Sequence, residues 1–507
     1  MKKIMMMGAS LLLGGVALAQ NAGITINADR SLGDVSPYLF GQFIEYMGAC
    51  INGGIIDEGN PLSDEKGIRL DVLEKIEDLA PTMMRFPGGT SIKTFHWEDG
   101  VGPLSERKTK KNLVWGGLDN YHFGTCEFID YCRKVGCEPV LVINMSTGTP
   151  DEAANWVEYC NGTEDTYYAN LRRKHGYPEP FNVKYWALGN EEAADADAGR
   201  HQDPHFYVKD GWHFIKLMKL TDPTIEIIAD GERGIPEWNK VVLEGLDGAI
   251  DYISYHGYVS TGGNPYSIYG GINRVGEELS EMSEAIKKYA PGDTSREWKK
   301  WYRFPARTKP IKIAMDEWGI WEYQEPPYGT TNTYEWRHAL ATAYYLNTIL
   351  RHADDLGMCN WAQTVNILAP IRTNKDASVC QTVFYPLREY RKNALSESVE
   401  AVADSKKVRD NLQSLNVAAT INRADNEVTL FVVNISPDPV TADLTLNGLK
   451  PSTKIKDAMT MTASSIDAKN VLSAPDKNVV NIDKKSVNKK ADKYTFPAES
   501  VTILTLK

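Results

Sequence analysis

Between Tyr38 and Asn366 the chain carries eight short apolar runs rich in β-branched residues. Polar residues or glycine close each run, and segments of helical period separate them. The runs are Tyr38–Tyr46, Thr82–Gly89, Glu138–Asn144, Asn182–Glu191, Ile225–Asp230, Tyr252–Tyr258, Lys312–Gly319 and Gly357–Asn366. Helices are predicted between them, among others at Glu65–Ala80, Gly124–Val135, Asp151–Cys160, Pro204–Leu220 and Thr333–Ala353. Continuous rather than alternating hydrophobicity marks strands buried on both faces, as in a parallel sheet covered by helices. Eight such units imply an α/β chain closed into a (β/α)8 TIM barrel, whose chemistry belongs at the C-terminal strand ends.

The 507 residues exceed what one hydrophobic core usually holds, which predicts a second domain. After about Ala394 long helical periods give way to strand patterns at Val417–Ile421, Glu427–Val433, Ala442–Leu446 and Ser500–Leu506. These predict an all-β sandwich of jelly-roll type. The alternating segment Gly23–Ala28 is placed against that sandwich. The expected organisation is therefore a signal peptide at 1–19, a pairing segment at 20–33, the catalytic barrel at 34–393 and the sandwich at 394–507. The Lys- and Asp-rich stretch Lys477–Lys493 is expected to be a solvated hairpin or loop. The Gly-, Asn- and Tyr-rich segment Gly262–Val275 is expected to be a loop lining the cleft or touching a neighbouring subunit.

Lys2 and Lys3, the apolar run Ile4–Val16 and the sequence Ala17-Leu18-Ala19-Gln20 have the form of a cleavable signal peptide, so a secreted or periplasmic location is expected. No other segment has the length of a membrane span. The net charge of −11 has the wrong sign for a nucleic-acid partner. Seven cysteines leave at least one thiol unpaired, and none stands in a zinc-binding pattern. Most are expected in the core. The 12 Trp and 25 Tyr suit sugar stacking and core filling equally well.

Two predicted strand ends present a Glu in a chemical setting: Trp186-Ala187-Leu188-Gly189-Asn190-Glu191 and Ala314-Met315-Asp316-Glu317-Trp318. In a barrel they face each other across one mouth. Breaking a glycosidic bond needs this pair of groups, a carboxylic acid for the leaving oxygen and a carboxylate for the developing positive centre. Trp186, Trp318 and Trp321 are placed beside them as pocket aromatics. Arg85, in Met84-Arg85-Phe86-Pro87-Gly88-Gly89, is positioned to lie beside Glu317 and keep it ionised. The Gly88-Gly89 pair permits either close backbone approach to a ligand or a left-handed turn.

Together, Asn190-Glu191, Asp316-Glu317-Trp318, Arg85-Phe86-Pro87-Gly88-Gly89, Trp97-Glu98-Asp99-Gly100 and Ala362-Gln363-Thr364-Val365-Asn366 resemble glycoside hydrolase family 51, the α-L-arabinofuranosidases. The resemblance runs in order from about Tyr38 to the C-terminus. It implies double displacement without metal or cofactor, with Glu191 as acid/base and Glu317 as nucleophile. It further implies sugar contacts from Glu45, Gly89, Asn190, His256, Tyr258 and Gln363, and pocket walls from Trp115 and Trp321. The implied activity is removal of terminal arabinofuranosyl groups from arabinoxylan, arabinan or derived oligosaccharides, and the resemblance admits a homo-oligomer.

The chain departs from the family pattern at Thr90, where Asn is usual, and at Tyr46-Met47, where His-Leu is usual. A Thr hydroxyl replaces only part of an amide's hydrogen bonding, weakening one sugar contact by about 0.5–1.5 kcal/mol. Thr90 thus motivates a rival reading, a β-glucanase or β-xylosidase of the same family with a remodelled pocket. A catalytically silent sugar-binding protein is a second rival, and the paired carboxylates with Arg85 and Asn190 argue against it.

Overall fold

The computed structural model describes residues 20–193, 198–262, 264–292, 302–322 and 333–507. The proposed signal peptide, residues 1–19, lies outside them. Eight parallel strands close into a barrel in chain order: Gly41–Phe43, Met83–Phe86, Glu138–Ile143, Tyr185–Leu188, Glu226–Ala229, Tyr252–Val259, Lys312–Ile320 and Leu356–Ala362. Each expected strand is present; the first five are trimmed, while the sixth and seventh each run one residue further than expected. The first is shortened at its start because Ser36 caps a 3₁₀ turn over Pro37–Phe40 and removes those residues from the ladder.

Helices follow each strand and bury the outer face of the barrel. The first begins at Leu70 rather than Glu65. The Asp64 side chain accepts the N–H groups of Lys66 and Ile68, and Gly67 sits at φ +83°, so a tight turn occupies the expected first helical turn. The segment from Gly262 to Val275 is not all loop, since helix Ser267–Tyr289 runs through most of it. Ile268, Ile272, Val275 and Leu279 form a buried stripe, and that packing outweighs the poor helix propensity of Gly270 and Gly271. Helix Trp336–Arg351 is buried almost all round because it is wedged between barrel and β domain.

The β domain is a nine-stranded sheet that rolls around a core including Ile24, Ile26, Val417, Leu430, Val440, Phe496 and Leu504. Its other face presents Phe431, Val433, Met461 and Ile503 to the barrel. There Phe431 stacks on Tyr390 at 4.4 Å, and Asn347 reaches across to Asn416 at 2.8 Å. Strand Gln20–Asp34 lies inside this sheet, antiparallel to Glu397–Asp404 and parallel to Val440–Asn447. The Lys-rich stretch contains a strand, Val480–Lys490, rather than only a loop. It forms one edge of the sheet, and its exposed Lys484, Lys485, Lys489 and Lys490 discourage pairing with another chain.

All seven cysteines are free, and five of them are buried. Among the described residues no helix is long and apolar enough to cross a membrane.

Candidate active site

The C-terminal ends of the barrel strands gather the polar residues. Arg85, on the second strand, is 1 % exposed and carries a charge that burial makes costly unless it is paired. It is paired several times. One terminal nitrogen donates to Glu317 Oε1 at 2.6 Å and the other to Asn190 Oδ1 at 2.7 Å, while Nε lies 3.3 Å from Asp316 Oδ2. The expected Arg85–Glu317 contact is therefore present. Tyr258, on the sixth strand, donates to Glu317 Oε2 at 2.6 Å, so both oxygens of that carboxylate are held.

Glu191 lies three residues beyond the fourth strand and is partly exposed at the mouth. Its Oε1 is 2.8 Å from His256 Nδ1. Burial alone would raise the Glu191 carboxyl, but the neighbouring imidazolium outweighs it and holds the group below its ordinary value. On the His256 side, burial would favour the neutral ring. The Glu317 and Glu191 carboxylates overcome it and push the imidazole up to about 10. Donor atoms of Glu191, His256 and Glu317 lie within 4.8 Å of one another. That spacing would suit an ion, yet internal partners already engage these groups: His256 for Glu191, and Arg85 with Tyr258 for Glu317.

A second cluster centres on Glu45, two residues beyond the first strand. Its Oε1 accepts the Ser91 N–H, the Ser91 hydroxyl and Trp115 Nε1, each at 2.9 Å, and its Oε2 accepts Gln363 Nε2 at 2.7 Å. Burial, aided by the Glu317 charge, raises this carboxyl to about 7, even though the donors pull it back. Close packing on the Glu45 side chain, rather than a left-handed turn, accounts for Gly88-Gly89. Gly89 has φ −46°, and a Cβ on it would stand 2.9 Å from Glu45 Oε2. Thr90 opens the 3₁₀ turn Thr90–Thr94 immediately beyond and is buried. Trp321 meets Tyr258 edge-on at 5.1 Å.

Two expected aromatics are elsewhere. Trp186 packs against Trp156, and Trp318 against Trp361 and Tyr345, so both fill the core instead of lining the mouth. The Trp97-Glu98-Asp99-Gly100 motif is likewise structural: Trp97 stacks on Trp156, and its Nε1 donates to the Glu152 carbonyl.

Sequence reasoning missed Ser91, Lys93, Asp230 and Glu232. Lys93 is fully buried and donates to the Glu191 carbonyl at 3.0 Å. Asp230 and Glu232, at the end of the fifth strand, accept backbone N–H groups of residues 191–193. Only the run ending at Asp230 pointed to this corner, and nothing in it distinguished Asp230 from an ordinary rim carboxylate.

Two family models match the chain, the α-L-arabinofuranosidase 1 domain over residues 75–274 and the α-L-arabinofuranosidase C-terminal domain over residues 316–500. A probable α-L-arabinofuranosidase C of Aspergillus terreus is 35 % identical over 96 % of this chain and 97 % of its own. An intracellular exo-α-(1→5)-L-arabinofuranosidase of Halalkalibacterium halodurans is 31 % identical over 82 % of this chain and 84 % of its own. The solved structure of the GH51 α-L-arabinofuranosidase from Thermotoga petrophila superposes with a TM-score of 0.86 at 32 % identity, covering 96 % of this chain and 100 % of that one. On these matches, and with barrel and β domain in the same plan, the chain belongs to glycoside hydrolase family 51, the α-L-arabinofuranosidases.

Proposed function

We propose that the protein is an exo-acting α-L-arabinofuranosidase that retains configuration, with Glu317 as nucleophile and Glu191 as acid/base. The observation that carries this reading is that one oxygen of Glu191 and one of Glu317 lie within 4.8 Å of each other. Retaining pairs stand about 5–5.5 Å apart, whereas inverting pairs leave about 6.5–9.5 Å for a water.

In the first step a Glu317 oxygen bonds to the anomeric carbon as the glycosidic C–O bond breaks, and Glu191 gives its proton to the departing oxygen. In the second, Glu191 takes a proton from water, whose oxygen displaces Glu317 and releases the sugar. Arg85 and Tyr258 hold one Glu317 oxygen each and so orient the carboxylate that must attack. In the free protein the His256 imidazolium carries the proton 2.8 Å from Glu191 Oε1, and passing it to Glu191 as substrate binds supplies the acid at the mouth. Asn190 Nδ2 and Gln363 Oε1 are buried without a protein partner among the described residues, which suits them to sugar hydroxyls. Glu45, Gly89, Thr90, Trp115, His256, Tyr258 and Trp321 complete the pocket.

The substrates are terminal arabinofuranosyl groups of arabinoxylan, arabinan or their oligosaccharides. Export from the cytoplasm is part of the proposal and rests on the charged and apolar start of the sequence.

The test compares aryl α-L-arabinofuranoside, β-D-xyloside and β-D-cellobioside for the wild type and Glu317→Ala, with the anomer first released read by NMR. The arabinofuranoside should be preferred, its product should appear first as the α anomer, and Glu317→Ala should abolish turnover. Preference for the xyloside or the cellobioside would move the assignment to the remodelled pocket that Thr90 suggested. A first-formed β anomer would rule out retention.

A further inference from the structure

Glu191 has φ +45°, in the left-handed region that residues other than glycine seldom occupy. Such a conformation persists only when its surroundings over-determine it. Here the surroundings consist of two carboxyl side chains and an ammonium. Asp230 Oδ1 accepts the Glu191 N–H at 3.1 Å, Asp230 Oδ2 accepts the Glu192 N–H at 2.9 Å, and Glu232 Oε1 accepts the Ala193 N–H at 3.3 Å. From the other side, the buried Lys93 ammonium donates to the Glu191 carbonyl at 3.0 Å. Successive amides converging in this way form a concavity that elsewhere binds anions. In this protein its own carboxylates occupy it.

The grip is tied to rigid elements. The Asp230 N–H donates to the Tyr207 hydroxyl at 2.7 Å, and that hydroxyl donates to the Leu188 carbonyl at 2.9 Å, joining the ends of the fourth and fifth strands. Trp238 Nε1 holds the Asp230 carbonyl at 3.0 Å. Both Asp230 side-chain oxygens are spent on main-chain N–H groups, so its part in the reaction runs through Glu191. We propose that Asp230 is a positioning residue: with Lys93 opposite, it clamps the 190–193 turn so that the Glu191 carboxyl is aimed across the mouth at Glu317. This rests on Glu191 being the acid/base.

A misaimed proton donor harms the departure of poor leaving groups and spares good ones, because a good leaving group needs no proton. The experiment therefore measures kcat/KM of Asp230→Asn on aryl α-L-arabinofuranosides of graded leaving-group acidity, beside Glu191→Ala. An amide offers one acceptor where the carboxylate offered two. The expected loss is about 10- to 100-fold on the phenyl glycoside, the scale of a 1 Å misplacement. On the 2,4-dinitrophenyl glycoside it should be less than about threefold, since that departure barely depends on the acid. Lys93→Met, which releases the carbonyl side, should show the same slope and carries the comparison alone if Asp230→Asn does not fold. A loss equal for all leaving groups, or no loss, would overturn the proposal. A flat profile for Glu191→Ala would instead overturn the acid/base assignment, and the clamp with it.

Discussion

Tyr258 donates its phenolic hydrogen to Glu317 Oε2 at 2.6 Å, on the carboxylate whose other oxygen Arg85 already holds. The two bonds together fix the rotation of the Glu317 carboxylate. A hydrogen bond to a charged group is worth about 1.5–3 kcal/mol. Tyr258→Phe should accordingly lower kcat by about 10- to 150-fold, with KM for an aryl arabinofuranoside changed far less. Steady-state kinetics decide, and an unchanged kcat would show that Arg85 alone orients the nucleophile.

His256 yields a prediction about stability. Its folded-state value of about 10 stands above the ordinary 6.5, so between these pH values the folded protein holds a proton that the unfolded chain has released. The associated stabilisation is complete below about pH 6.5 and drains away as the pH rises through 10. Thermal unfolding of the wild type and His256→Gln should therefore differ most near pH 6 and converge toward pH 10. A gap that stays constant across this range would place the proton elsewhere.

Glu45 predicts the acid side of the activity profile. Raised to about 7 by burial and by the Glu317 charge, it gains a proton as the pH falls through neutrality, and one of its four donors then loses an acceptor. Trp115→Phe removes a donor that favours the ionised form, so Glu45 should rise further and the acid limb of kcat/KM should move to higher pH. Glu45→Gln, which cannot titrate, should lose that limb. An acid limb unmoved in both variants would assign it to another group.

The barrel was legible because strands buried on both faces leave uninterrupted apolar runs, a signal that survives without knowledge of what they pack against. Strand ends were less so: Pro37–Phe40 belongs to a 3₁₀ turn, and Asp64–Gly67 to a side-chain-capped turn, each decided by local hydrogen bonds that the apolar pattern does not encode. Strand Glu397–Asp404 escaped notice because most of its pairing is with Gln20–Asp34, from the opposite end of the chain. In the site, Glu191, Glu317 and Arg85 lay in motifs at strand ends, and the structure brings them together. Lys93 and Asp230 carry no such mark. Their importance comes from main-chain atoms of another loop, and a sequence displays side chains only. Trp186 and Trp318 show the converse, since a tryptophan beside a catalytic-looking motif can just as well turn inward and pack.

The position of strand Gln20–Asp34 inside the β domain bears on how the chain is assembled and cut. Its partners begin at Glu397 and Val440, so synthesis must carry the strand past the entire barrel before either flank exists. The β domain is thus closed by the earliest described part of the chain. A fragment starting at Ala394 would lack an interior strand and present two raw ladders, along Glu397–Asp404 and Val440–Asn447, to any strand that could add to them. Excising this domain for separate use would yield a sticky half-sheet unless residues 20–34 travelled with it.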